Sequence, residues 1–318
     1  MKVGVVIINY YSTKDTIKCV LSLAESKPVP ELVVIDNGSH GNKLKNNLSP
    51  YPFLKLIKSK KNLGFGRGNN LGIRYLLTNS DCDAIFLLNN DTTIEENTIQ
   101  HLINILNTCP NAAVASPRIM RIDKPEKLLF CGASINWYRG TGKLDDCNDL
   151  SLNIKKKILF ATGCAMLIRR EVFEKIGGFD PRFFMYEEDL ELCLRIQKAG
   201  WDIIYEPKSV VFHRLHGSQG ANDKVSLSAF DPKNPRLSFF AFHMTKNRLL
   251  NMSIHARGIH AFMFVFGFPV YSSYNILRFL SKGRFDGIVA LFKGIYSFMI
   301  SRKGRYINEL YQRNDSST

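Results

Sequence analysis

Residues 86–92 constrain the fold most, because an apolar run ends there in two amides and a carboxylate. Such a run is typical of a buried strand in an α/β sheet, and ligands of these sheets lie beyond the carboxyl ends of the strands. On an extended segment Asn89 and Asp91 point to the same side, so both could face one divalent cation. The pattern predicts a cation site suited to a diphosphate. An Asx-turn that merely closes the strand is the alternative.

Two earlier apolar runs end in the same way. Residues 3–8 stop at Asn9 and Tyr10, and residues 32–35 stop at Asp36. A helix capped near Ser12 is predicted between them, and a third strand at about residues 53–59. Strands that alternate with helices predict parallel β-α units with right-handed crossovers, and therefore an α/β fold. Residues 112–116 are predicted to form a further strand.

A glycine-rich loop follows the third predicted strand at residues 60–70. Its glycines allow the backbone to approach a ligand closely, and Lys61 and Arg67 add positive charge. The loop is therefore expected to bind phosphate. The spacing is not that of the dinucleotide fingerprint, and a plain connector is the alternative. Helices are predicted beyond the loop at residues 73–77 and 94–106.

Three adjacent acids occupy residues 187–189, after an aromatic run. Apolar positions beyond them have helical spacing up to Gly200, so the acids lie at a predicted helix start, where the dipole stabilises carboxylates. Capping needs fewer acids, and one of these three carboxylates could act as a general base. Two extended segments then end near His213 and His216, either of which could supply an imidazole to a metal or a phosphate.

Taken in order, these segments resemble the family-2 glycosyltransferases with the GT-A fold, especially the bacterial rhamnosyltransferase-like members. The matching segments extend over roughly the first 250 residues, and their joint match is more specific than any one motif. They are residues 5–10, 34–39, 62–65 with Asn70 and Gly72, 88–91, 178–180, 188–189 and 213–218.

The resemblance implies a Rossmann-like, mostly parallel sheet flanked by helices, and inverting transfer of a sugar from a nucleotide donor with Mg²⁺ or Mn²⁺. Asp189 would be the base, with Glu188 as its rival. Asp91 would bind the metal together with His213 or His216, and Asn89 would replace the first Asp of the D-x-D pattern. The implied donor-binding residues are Asn9, Tyr10, Asp36, Asn62, Gly64, Phe65, Asn70 and Asn89.

Composition sets the broader limits. The chain has 318 residues, 45% of them hydrophobic, and a formal charge of +15, which implies an anionic partner. The seven cysteines are scattered without a C-x-x-C pair, so a reducing, cytoplasmic setting is expected. No signal peptide is recognised. A nucleic-acid binder is the competing hypothesis, but no aromatic reading surface or known module accompanies the charge.

The chain divides, by prediction, into a catalytic domain at residues 1–235 and a basic, apolar helical appendage at residues 236–318. The nucleotide-sugar half would extend to about residue 116 and the acceptor half from 117 to 235. Because residues 257–278 lack internal charges but contain glycine, proline and polar residues, we expect an interfacial helical region on an anionic membrane. A helix buried against the core is the alternative. The expected setting is peripheral, on the inner face of the cell membrane, with a glycan or polyprenyl-linked acceptor.

Overall fold

The computed structural model describes residues 1–39, 43–49, 51, 54–145, 153–214 and 228–301. The chain forms two compact units. The first contains residues 1–135, 142–179 and 189–223, and the second contains residues 136–141, 180–188 and 224–318. The predicted domain boundary at residue 235 stays a prediction.

A single large sheet forms the core of the first unit. Its strands are β1 (Val3–Asn9), β2 (Glu31–Asn37), β3 (Leu54–Ser59), β4 (Ala84–Asn89), β5 (Thr92–Ile94), β6 (Ala112–Arg121), β7 (Leu128–Phe130), β10 (Lys156–Ile158), β11 (Ala165–Arg169) and β12 (Asp202–His213). The main order is β10-β12-β6-β11-β4-β1-β2-β3, with β5 on β12 and β7 on β6. Strands β8 (Ala133–Asn136) and β9 (Thr141–Leu144) pair with each other.

The half of the sheet that contains β1 to β4 is parallel, as the alternating pattern predicts. Strand β1 pairs in parallel with β2 and β4, and β2 pairs in parallel with β3. Asn9 lies opposite Asp36, and Ile8 lies opposite Asn89, so the polar ends of three strands meet at one edge. The other half is mixed, because β11 lies antiparallel between β4 and β6.

Nine helices are described in these ranges. They are α1 (Thr13–Ala24), α2 (Lys43–Leu48), α3 (Phe65–Asn79), α4 (Thr98–Thr108), α5 (Arg170–Ile176), α6 (Glu188–Lys198), α7 (Leu237–His255), α8 (Gly258–Leu280) and α9 (Phe285–Ser301).

The glycine-rich segment is only partly a loop. Helix α3 begins at Phe65, so Gly66 and Gly68 lie within its first turns. A Cβ on Gly72 would lie 2.4 Å from Val6 Cγ1. The later glycines therefore let the helix pack closely on β1, which the phosphate interpretation did not anticipate.

The predicted helix at residues 94–106 starts too early. Thr92–Ile94 forms strand β5 on β12, and α4 begins at Thr98. The Thr98 hydroxyl accepts a hydrogen bond from Glu95 N at 3.0 Å and donates one to Val210 O at 2.8 Å. Pairing with a distant strand therefore replaces the first helical turn.

The second unit is built mainly from α7, α8 and α9. One buried cluster contains Phe230, Leu237 and Phe279, and another contains Met252 and Phe264. Within the parts of the chain that the structure describes, no helix combines the length and apolarity required to cross a bilayer.

Candidate active site

Asp91 and His213 lie at the centre of the candidate site. Asp91 Oδ1 and His213 Nε2 are 3.1 Å apart although 122 positions separate the residues. Antiparallel pairing places Thr92 opposite His213, and Arg214 N donates to Asp91 O at 2.9 Å. Of the two candidate histidines, His213 thus reaches the carboxylate, whereas His216 lies outside the described residues.

The environment of His213 favours its charged form. Burial alone would lower the pKa, but the neighbouring Cys164 and Asp91 outweigh it, so the pKa of His213 lies well above its ordinary value. A metal ion binds the neutral imidazole and would compete with this proton. Cys164 also accepts, through its backbone oxygen, a hydrogen bond from Asn89 N at 2.9 Å.

The Asp91–His213 pair fits a divalent cation that arrives with a diphosphate. Carboxylate and imidazole are ligands that Mn²⁺ accepts, and Mg²⁺ is commonly held by one or two carboxylates together with substrate phosphates and water. Across the described ranges, no group of three or more His, Cys, Asp or Glu side chains could hold a metal. Of the described residues, Asp91 and His213 would hold the cation, and donor phosphate and water could supply further ligands.

The ends of β1 and β2 form a buried polar network. Asn9 Nδ2 lies 3.4 Å from Asp36 Oδ1 and donates to Ser39 Oγ at 3.2 Å, while the Thr16 hydroxyl donates to Asn9 Oδ1 at 2.9 Å. Asn9 is fully buried, and its amide orients Asp36. Tyr10 lies exposed next to this network.

Asn37, absent from the predicted site residues, organises the turn before α3. Its amide donates to Gly64 O at 3.0 Å and to Asn62 Oδ1 at 3.2 Å, and its oxygen accepts from Leu63 N at 2.9 Å. Asn62 Oδ1 in turn accepts from Gly64 N at 2.8 Å. Gly64 has a φ of 80°, which favours glycine at this helix start.

Asn70 connects α3 to the segment after α5. Phe179 N donates to Asn70 Oδ1, and Asn70 Nδ2 donates to Phe179 O, both at 2.8 Å. The rings of Phe65 and Phe179 pack edge to face with centroids 5.7 Å apart. Both ends of the Asn70 amide are thus occupied by protein backbone.

Asp189 lies at the start of α6. Gly163 N donates to Asp189 Oδ2, and Leu190 N donates to Asp189 Oδ1, each at 2.9 Å. A Cβ on Gly163 would lie 2.9 Å from the Phe65 ring and 3.4 Å from Asp189 Cβ. The Phe65 ring and Asp189 Cβ therefore both border the space that a larger residue at position 163 would fill. Glu188, the rival base, is buried in the second unit.

Two further charged residues near this site were missed by the sequence analysis. Arg214 Nε lies 3.3 Å from Asp15 Oδ1, and the Ser12 hydroxyl donates to Asp15 Oδ2 at 2.6 Å. Asp15 lies in the first turn of α1, where the sequence predicts only a helix cap near Ser12. Its buried carboxylate instead orients an arginine that directly follows His213.

Comparison with known families agrees with this geometry. The profile described as glycosyl transferase family 2 matches residues 4–177, which is more than half of the chain. The chain belongs to glycosyl transferase family 2. A second profile, described as the N-terminal domain of galactosyltransferase, matches residues 150–216. The predicted family and the prediction of a glycosyltransferase are both confirmed.

Relatives of this family-2 glycosyltransferase include hexosyl- and rhamnosyltransferases. A low-salt glycan biosynthesis hexosyltransferase from Haloferax volcanii is 28% identical over 311 residues, covering 95% of this chain and 92% of the relative. An N-acetylglucosaminyl-diphospho-decaprenol L-rhamnosyltransferase from Mycobacterium tuberculosis is 28% identical over 228 residues, covering 66% of this chain and 74% of the relative.

Solved structures establish the fold. GalNAc-T7 with UDP, GalNAc and Mn²⁺ aligns with a TM-score of 0.60 at 18% identity, covering 80% of this chain and 48% of that one. A mannosyltransferase from Pyrobaculum calidifontis with GDP-Man and Mn²⁺ aligns with a TM-score of 0.54 at 13% identity. The alignment covers 96% of this chain and 76% of that one. The predicted GT-A fold is confirmed.

Proposed function

We propose that this glycosyltransferase is inverting and metal-dependent. It moves rhamnose or another hexose from a nucleoside diphosphate donor to a glycan or polyprenyl-linked acceptor in bacterial cell-surface polysaccharide synthesis. The observation that carries the proposal is the 3.1 Å approach of Asp91 Oδ1 to His213 Nε2 just beyond the end of β4. The name of the rhamnosyltransferase relative, with its decaprenol-linked acceptor, supports it, as do the Mn²⁺ and the nucleotides or sugar nucleotide in the structural neighbours.

The donor would bind along the edge where β1, β2 and β4 end. A cation held by Asp91 and His213 would offset the negative charge that develops on the departing diphosphate. Asp36, oriented by Asn9, would receive the nucleoside. The remaining proposed donor-binding residues are Tyr10, Asn62, Gly64, Phe65 and Asn89. Asn70, whose amide pairs with the Phe179 backbone, would line the same pocket.

Asp189 is the proposed general base. The acceptor hydroxyl loses its proton to this carboxylate while the oxygen attacks the anomeric carbon and the carbon–diphosphate bond breaks. A single direct displacement needs no enzyme nucleophile and inverts the configuration. Backbone hydrogen bonds from Gly163 N and Leu190 N orient this carboxylate.

A thermal-shift screen tests the donor class. UDP-, GDP- and dTDP-sugars are added with Mn²⁺ or with EDTA, and oligonucleotides serve as the control for the basic charge. The proposal expects one sugar nucleotide to raise Tm in Mn²⁺ and to lose that effect in EDTA. Stabilisation by oligonucleotides alone would favour the nucleic-acid hypothesis instead.

The second unit is proposed to attach to anionic membranes through the apolar face of α8 and α9. This face consists of large apolar side chains that are each 47–72% exposed and recur mostly every three or four residues. Its members are Ile259, Phe262, Val265, Phe266, Val270, Tyr274, Leu277, Leu280, Phe285, Val289, Phe292, Tyr296, Met299 and Ile300.

The positive charge around this apolar face favours an anionic bilayer as its binding partner. Residues 257–301 carry five basic side chains and one acidic side chain, Asp286. Basic residues beside an exposed apolar helix face suit the headgroup region of anionic lipids. Attachment from the cytoplasmic side would bring a lipid-linked acceptor to the enzyme.

Vesicle flotation tests this attachment. The native protein should float with vesicles containing phosphatidylglycerol and less with phosphatidylcholine alone. Phe262→Ser with Phe266→Ser should weaken flotation by at least about tenfold, since burying each ring contributes roughly 1.5–3 kcal/mol. Leu21→Ser on α1 is the matched control. Unchanged flotation of the double variant would contradict the proposal.

A further inference from the structure

The backbone just before α6 adopts a left-handed conformation, which is unfavourable for residues other than glycine. Tyr186 and Glu187 have φ angles of 72° and 66°, in the left-handed region where non-glycine residues are strained. Glu188 and Asp189 follow directly. This strained turn therefore sets the direction in which α6 begins, and with it the position of both acids.

Helix α7 holds the turn through two asparagines one helical turn apart. Asn247 Nδ2 donates to Met185 O at 3.0 Å and to Tyr186 O at 2.7 Å. Asn251 Nδ2 donates to Glu187 O at 2.9 Å. Both side chains are fully buried. Three consecutive carbonyl groups are thus fixed by one face of one helix.

The Glu187 side chain provides a second attachment. Its Oε1 accepts hydrogen bonds from Arg248 Nε at 3.0 Å and from the Thr141 hydroxyl at 2.7 Å. The Arg248 guanidinium also lies 5.4 Å from the centre of the Phe230 ring and 5.6 Å from that of Tyr271. The carboxylate of Glu187 is therefore committed to a buried ion pair.

We infer that Asn247, Arg248 and Asn251 are positioning residues that keep the turn strained and so hold the Glu188–Asp189 pair in place. The inference rests on the proposed function, in which one of these acids accepts the acceptor proton. Without these contacts, the φ angles relax toward negative values and the start of α6 rotates. A displacement of about 1 Å at a catalytic group lowers the rate by about 10²-fold.

The test compares two substitutions at adjacent positions of α7. Asn251→Ala removes the hydrogen bond to the turn, whereas Met252→Ala removes buried volume from the cluster that contains Phe264. Turnover is measured with dTDP-rhamnose, Mn²⁺ and a polyprenyl-diphosphoryl N-acetylglucosamine, at temperatures where both variants are folded. Hydrogen exchange of the peptide covering residues 185–190 is measured without any ligand.

The inference expects Asn251→Ala to lower kcat by about 10- to 100-fold while the donor Kd stays within about twofold. Exchange at residues 186–190 should accelerate in this variant and remain native in Met252→Ala. Native kcat or native exchange in Asn251→Ala would overturn the inference. Equal kcat loss in both variants would also overturn it, because general destabilisation would then explain the effect.

Asp189→Asn and Glu188→Gln in the same assay separate this inference from the proposed function. A slow Asp189→Asn enzyme combined with a native Asn251→Ala enzyme refutes the positioning role alone. Native rates in both acid variants refute the proposed base, and the positioning role falls with it.

Discussion

Replacing Asp189 with Asn should remove the proton acceptor while nearly preserving its shape. Both carboxylate oxygens accept a backbone hydrogen bond at 2.9 Å, from Gly163 N and from Leu190 N. The asparagine side chain keeps one oxygen that accepts a hydrogen bond from one backbone N–H. Its NH₂ group can only donate, so the other backbone N–H loses its acceptor. Loss of that hydrogen bond costs about 1–3 kcal/mol, which corresponds to a fall in Tm of roughly 2–10 °C. The chemical step should fall by about 10²- to 10⁴-fold.

Single-turnover kinetics separate these two effects. The rate is measured with saturating sugar nucleotide well below Tm, and donor Kd is measured by titration calorimetry. Donor affinity should stay near native because Asp189 is assigned to the acceptor step. Glu188→Gln is the matched control, and its rate should remain much closer to native. An Asp189→Asn enzyme with a near-native rate would refute the assignment and transfer the role to Glu188.

Three further predictions concern stability. Arg248→Met should destabilise the protein by about 3–5 kcal/mol in urea unfolding, because it leaves the buried Glu187 carboxylate unpaired, and adding Glu187→Gln should restore much of the loss. Gly72→Ala should cost about 1–3 kcal/mol, since its Cβ would meet Val6, and an unchanged urea midpoint would contradict this packing. Burial lowers the pKa of His243 to about 4, so the unfolded chain binds more protons between that pH and about 6.5. Stability should therefore fall as pH decreases through this window, and His243→Gln should flatten the slope between pH 7 and pH 5.

The strand ends were predictable because their signal is local. An apolar run that stops at an amide or a carboxylate marks the carboxyl end of a buried strand without knowledge of its neighbours. Asn9, Asp36 and Asn89 accordingly lie at one edge of the parallel sheet. The same reasoning located Asp91 just beyond β4.

The approach of His213 to Asp91 could be seen only with long-range information. It depends on the register of β12 against β5, whose residues are more than 100 positions apart. The same pairing explains the misplaced start of α4, since Thr92–Ile94 joins the sheet. Local sequence propensity does not predict either of these long-range contacts.

The acidic run shows a second limit. The local sequence does not distinguish Glu187, Glu188 and Asp189, because their side chains are similar and all three lie at the predicted helix start. Only Arg248, 61 positions later, distinguishes Glu187 as the member of a buried ion pair. Asn37 could have been recognised from the sequence, because an Asn-Gly pair that follows an apolar run is a turn signal. In the structure, Gly38 accordingly has a φ of 88°.

Calorimetric titration of donor with and without Mn²⁺ tests the central claim most directly. The titration uses the sugar nucleotide that gives the largest thermal shift, with the native protein, Asp91→Asn and the control Asp83→Asn from the opposite end of β4. The account predicts metal-dependent binding in the native and Asp83→Asn proteins, and loss of that dependence in Asp91→Asn. Equal donor affinity with and without Mn²⁺ in the native protein would contradict it.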